Sequence, residues 1–152
     1  MPKGRELVGL PVISRDRGEE LGRIQDLYYD ESSGNLRAVL LADGGWLRQP
    51  RLVDFSQLET WGPDAFTVGD HGAVIHDPPP GTRRWQKLKG LRLINSEGQE
   101  LGIVEDLVVE LPSGQVKALE ISTGLVNDLL DGRKELPLTG QVNWGEDTAI
   151  IT

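Results

Sequence analysis

The segment GEELGRIQDL at residues 18–27 returns as GQELGIVEDL at 98–107, displaced by 98 − 18 = 80 positions. Such a copy constrains the fold strongly, because both stretches must build the same local structure from the same order of apolar and polar side chains. The match continues without a gap: Asp26 meets Asp106, Leu27 meets Leu107, Ser33-Gly34 meets Ser113-Gly114, and Ala38 meets Ala118. Upstream, GLPVISRDRG answers GLRLINSEG with one extra residue in the first copy. Downstream, WGPDAFTV at 61–68 answers WGEDTAII at 144–151 with a shift of 144 − 61 = 83. Small insertions fall in turns, so the chain divides into two homologous units, roughly residues 5–75 and 84–152. The domains are drawn at 1–76 and 84–152, with a Pro-rich linker at 77–83.

Within each unit apolar residues alternate with polar ones and the runs end at glycine, which predicts short strands. The steps DESSGN (30–35) and ELPSGQ (110–115) predict hairpins with a left-handed glycine, and LVDFS (52–56) and ELPLT (135–139) supply a further strand in each copy. With 19 glycines and 9 prolines a helical bundle is disfavoured. The expected fold is all-β: two tandem small barrels, closed or half-open, of five to six short strands each. A short helical turn is expected in the second, where Leu125, Val126, Leu129 and Leu130 stand at helical spacing before Gly132 and plug one barrel mouth. Trp46 and Leu47 are given that part in the first unit.

The runs GLPVISRDRGEELGRIQDLYYDESSGNLRAVLL and GLRLINSEGQELGIVEDLVVELPSGQVKALEI resemble the PRC-barrel family. The residues that carry the resemblance are Gly9, Gly18, Leu21, Gly22, Asp26, Gly34 and Ala38, and again Gly90, Gly98, Leu101, Gly102, Asp106, Gly114 and Ala118. The resemblance implies a small β-barrel used as a docking module. That module is shared with the cytoplasmic domain of the photosynthetic reaction-centre H subunit and with a ribosome maturation factor. It implies no general catalytic residue, so none is carried over. The membrane helix of the H subunit has no counterpart here, and a second barrel stands where the ribosome factor has a different amino-terminal domain. Stand-alone tandem PRC-barrel proteins of bacteria are the most similar.

Composition narrows the function classes. The absence of cysteine removes disulfides and thiolate zinc sites and fits a reducing cytoplasm. A net charge of −8 repels phosphate backbones, which disfavours nucleic acid as the principal partner. No stretch reaches the roughly 20 apolar residues of a membrane span, so insertion is not expected, while peripheral association through a partner remains open. No enzymatic turnover and no cofactor are expected.

Four groups of residues invite a functional reading. Asp26 and Asp106, repeated within strands, are read as structural carboxylates, either facing outward or accepting backbone amide hydrogen bonds at a bend. Arg83, Arg84, Trp85, Lys87 and Lys89 form a basic run on an acidic chain and are the candidate partner-binding residues, for an acidic protein surface or a stacked base. His71 and His76, beside Asp70 and Asp77, are the candidate metal ligands, although a spacing of five on a strand points the imidazoles to opposite faces. Trp61 and Trp144 recur in register and are read as equivalent, which argues against an isolated binding hot spot. The expected function is a non-catalytic cytoplasmic interaction or scaffold module that binds another protein. The alternatives are a ribosome- or RNA-processing accessory factor and a small-ligand or metal-binding protein.

Overall fold

The computed structural model describes residues 1–42, 49–123 and 133–152. The first half runs through a one-turn helix α1 (Gly4–Leu7), β1 (Pro11–Ser14), β2 (Glu19–Asp30), β3 (Asn35–Leu41), β4 (Arg51–Asp54), a 3-10 turn (Phe55–Gln57), β5 (Leu58–Trp61), β6 (Phe66–Val68), a second 3-10 turn (His71–Ala73) and β7 (Val74–Ile75). The second follows as β8 (Thr82–Arg84), the one-turn helix α2 (Trp85–Leu88), β9 (Arg92–Asn95), β10 (Glu100–Val109), β11 (Val116–Ser122), β12 (Lys134–Pro137), β13 (Val142–Trp144) and β14 (Thr148–Ile151). The protein is all-β, built on two curled half-barrel sheets ordered β5-β6-β1-β2-β3-β4-β7 and β12-β11-β10-β9-β14-β13. Residues 125–130, expected as a helical plug, and Trp46 and Leu47 lie outside the described residues.

Among the described residues the second sheet has six strands and the first has eight, more than the expected five or six. The excess comes from β7 and from β8, which is drawn from the segment read as a linker and pairs antiparallel with the end of β2. The room for β8 arises because the twelve-residue β2 pairs with β1 only as far as Arg23 and leaves Tyr28–Asp30 open on that side. The expected hairpin glycines are in place: Gly34 and Gly114 have φ of 75° and 80°, and each donates its N–H back to the residue that opens the turn, Asp30 or Glu110.

These two turns also bind each other. Leu36 N–H donates to the Gly114 carbonyl at 2.8 Å, and Val116 N–H donates to the Gly34 carbonyl at 3.0 Å. Residues 34 and 114, like 36 and 116, differ by 80, so the contact is a reciprocal exchange of one bond between equivalent positions. A side chain at Gly114 would break this approach, because a Cβ there would stand 2.9 Å from Phe55 and 3.0 Å from the Leu36 carbonyl.

A second reciprocal contact locks the halves more deeply. Lys3 forms a β-bridge with Val108 of β10, and Arg84 pairs with Tyr28 of β2; 84 − 3 = 81 and 108 − 28 = 80, so these too are equivalent contacts. Each half therefore sends an arm, Lys3–Leu7 or Thr82–Leu88, onto the sheet of the other. Leu7 and Leu88 end the arms fully buried, and they join Leu27, Leu107, Leu93, Val104, Phe66 and Trp144 in one apolar cluster that runs through both halves.

Candidate partner-binding groove

The repeated aspartates are the receptors of the arms. Asp26 and Asp106 follow β-bulges, at which the ladder register shifts between Ile24 and Asp26 and between Val104 and Asp106. The bulge turns each carboxylate inward, where it is 1% or 4% exposed. Each binds the next backbone N–H, Leu27 or Leu107, at 2.8 Å. The other half then supplies the remaining donors. Arg84 Nε donates to Asp26 at 2.8 Å and the Gln86 N–H donates to the same carboxylate at 3.3 Å, while Arg5 reaches Asp106 through its backbone N–H at 3.1 Å and its guanidinium at 3.2 Å. The structural reading of both aspartates accounts for every one of these bonds.

Three of the five basic-run residues are used internally, which corrects their reading as a free partner surface. Arg83 binds Glu31 at 2.8 Å and the carbonyls of Trp144 and Gly145. Arg84 serves Asp26, and Trp85 is 4% exposed, with its ring edge-on to Trp144 at 5.9 Å. Lys87 and Lys89 remain exposed at the end of α2. The two arginines of the run pair with acids of the first half as β8 docks on β2.

The histidines do not converge on one place. His71 Nδ1 lies 2.6 Å from Asp16 and 3.4 Å from Asp70, whereas His76 Nδ1 lies 2.9 Å from the Pro50 carbonyl. The contact with His71 holds the Asp16 carboxyl below its ordinary range. Asp16, Asp70 and His71 could offer three ligand atoms within 4.8 Å of one another. All three sit at the surface, and the hydrogen bonds among them serve to pin the β1–β2 turn to the second 3-10 turn.

One carboxylate is strongly perturbed. Glu120 of β11 receives Lys3 at 2.7 Å, Arg5 at 2.8 Å and Arg133 at 3.1 Å. Burial alone would raise its pKa, but the hydrogen bonds from the three cations outweigh burial and hold it at about 2. Two of those cations come from the first arm. The group clamps that arm, and Leu40 stands at the matching position of the first half.

The two halves part at the repeated tryptophans, which corrects the reading of Trp61 and Trp144 as equals. Their backbone positions do correspond: Trp144 pairs with Ala149 and Ala149 with Leu93, while Trp61 pairs with Phe66 and Phe66 with Val12. Yet Trp144 is 6% exposed and Trp61 is 40% exposed. Trp144 packs edge-on against Tyr29 at 5.7 Å and against Trp85. At the matching places Trp61 has Val109 and Gly4, which offer no ring to pack against, and a Cβ on Gly4 would stand 2.6 Å from the Asp106 carboxylate. The first half instead buries the ring of Phe66, edge-on to Phe55, at the position where the second half has Ala149. Trp61 is left outside.

Beneath it lies a groove of about 310 Å3, walled by Phe55, Leu58, Trp61 and Phe66 of the first half and by Leu111 and Pro112 at the hairpin tip of the second. The matching groove, of about 340 Å3, carries Glu31 and Ser32 in place of Leu111 and Pro112, and Gln141 in place of Leu58. Duplication produced two grooves, and only the first has an apolar lining with an aromatic at its lip. Sequence spacing does not show this groove, since its walls come from both units.

A pair of interlocked half-barrels with such a groove between them defines a duplicated β-barrel scaffold. The chain belongs to the PRC-barrel domain family, which matches residues 3–78 and again 80–152. No curated protein matches the chain in sequence. Among the described residues no helix is long and apolar enough to cross a membrane.

Proposed function

We propose that this protein is a non-catalytic, cytoplasmic protein-interaction module and that the Trp61 groove is its docking surface. The observation that carries the reading is the outward-turned indole of Trp61 above an apolar groove, at a position where the other half buries its tryptophan. Tryptophan is enriched among residues that dominate binding energy, and an apolar pocket rimmed by polar groups is the usual seat of such an anchor. The charged and polar clusters around Asp26, Asp106 and Glu120 are occupied in holding the arms. This favours binding over turnover, and of the basic run proposed for RNA only Lys87 and Lys89 stand fully at the surface.

A photo-crosslinking amino acid placed at the exposed Thr60 in the living cell tests the proposal, with the same group at exposed Lys87 as control. A discrete protein adduct is expected from position 60 and none from position 87. Absence of any protein adduct at 60, or equal adducts at both positions, would reject the groove as a docking surface.

A further inference from the structure

Resting on that reading, we infer that the partner presents an extended segment bearing lysine or arginine, which adds as a strand to the free edge of β5 and sets an apolar side chain into the groove. The backbone of β5 is ready for it. Gly62 N–H donates to the Ala65 carbonyl at 2.9 Å, closing the β5–β6 hairpin, so by the alternation of an antiparallel ladder Trp61↔Phe66 is a pair without mutual bonds. The N–H and C=O of Trp61 therefore face away from β6, and among the described residues β5 is the edge of its sheet. The groove, at the small end of the roughly 300–1,000 Å3 typical of ligand sites, suits one or two side chains of a peptide. Main-chain pairing then supplies affinity and the groove supplies selectivity, as in strand addition generally.

The charge of the occupant follows from two observations. The chain carries −8, and acids belong to the segments that build the groove: Glu59 on β5 lines it, Asp64 lies in the β5–β6 turn and Glu110 precedes Leu111 in the chain. Arg15 pairs with Glu59 at 3.0 Å and Lys117 approaches Glu110 at 3.8 Å, while Asp64 stands exposed. The molecule also shows the mode within itself. Its own basic strand β8 adds antiparallel to the open side of β2, and its two arginines meet Glu31 and Asp26. A second copy of the chain is the poorer occupant, since β5 against β5 would bring together two Glu59 side chains and two net charges of −8.

Selection of a random dodecapeptide library against the full-length protein at low salt tests the inference. Enriched peptides are expected to alternate apolar residues with Lys or Arg, to shift the amide resonances of Leu58–Trp61, and to bind at least about tenfold more weakly to Trp61→Ala. Glu59→Lys, which leaves the apolar walls intact, is expected to weaken the same peptides. Enrichment of acidic or helical sequences, no enrichment, or affinity indifferent to both variants would overturn the inference. If the Thr60 crosslink forms but the selected peptides fail these criteria, the docking surface stands and only this partner chemistry is rejected.

Discussion

The interlocked arms make the two halves one cooperative unit, and Leu7→Ala is the substitution that tests this. Leu7 is fully buried, belongs by sequence to the first half, and sits on an arm packed against β10 of the second. Truncating a buried leucine to alanine costs about 2–5 kcal/mol, so a loss of about 3 kcal/mol is expected against a total stability of roughly 5–15 kcal/mol, and the variant still folds. The informative measurement is native-state hydrogen exchange at Leu27 and Leu107, whose N–H groups are tied to Asp26 and Asp106 in opposite halves. If both halves open only together, the two amides lose protection equally, by about two decades, since each decade is about 1.4 kcal/mol. Leu88→Ala, the matching change on the other arm, is expected to do the same. Loss of protection at Leu107 with Leu27 unchanged, or separate melting transitions, would refute the coupling.

Two further outcomes follow from particular side chains. Glu120 has a folded pKa of about 2 against an ordinary value of 4.5, so its contribution to stability is complete above about pH 4.5 and is lost as pH falls toward 2. Glu120→Gln is therefore expected to lower the melting temperature at pH 7 and to flatten its fall between pH 4.5 and 2; an unchanged slope in that window would contradict the clamp. Trp85→Ala is expected to destabilise by about 3–5 kcal/mol, and Trp61→Ala by less than about 1 kcal/mol, because only the first ring is enclosed. Equal losses in urea denaturation would mean that the Trp61 ring is part of the core.

Much of the fold was legible because its determinants are local. The Ser-Gly steps fix the hairpins at 34 and 114 through left-handed glycine, and apolar residues set among polar ones between glycine turns mark β2, β3, β10 and β11; these need no knowledge of distant residues. The arms were not legible for the opposite reason. Arg83 and Arg84 read as candidate partner-binding residues because their acids, Glu31 and Asp26, lie 52 and 58 residues earlier in the other unit. Nothing in the spacing shows that the open end of β2 takes up β8. The groove was hidden more deeply. The repeat itself equated Trp61 with Trp144, and the difference between them lies in third residues: Gly4 against Trp85, Val109 against Tyr29, and Phe66 against Ala149.

That pattern separates what the duplication must keep from what it can change. The contacts that close the pair are reciprocal, so losing a bulged aspartate or the close turn at Gly34 or Gly114 would unseat half of a symmetric joint. Cooperativity then spreads the damage to both sheets. The tryptophan positions sit at the rim of the joint, where one copy can satisfy the core without the other repeating the solution. In the second half the indole of Trp144 joins Tyr29 and Trp85; in the first, Phe66 closes the core and Trp61 is released to the surface. A chain with two identical grooves would present the same surface twice. By filling one core with phenylalanine and lining one groove with Leu58, Leu111 and Pro112, this chain makes its two faces chemically different, and under the proposed docking role specificity for a partner resides where the internal symmetry is broken.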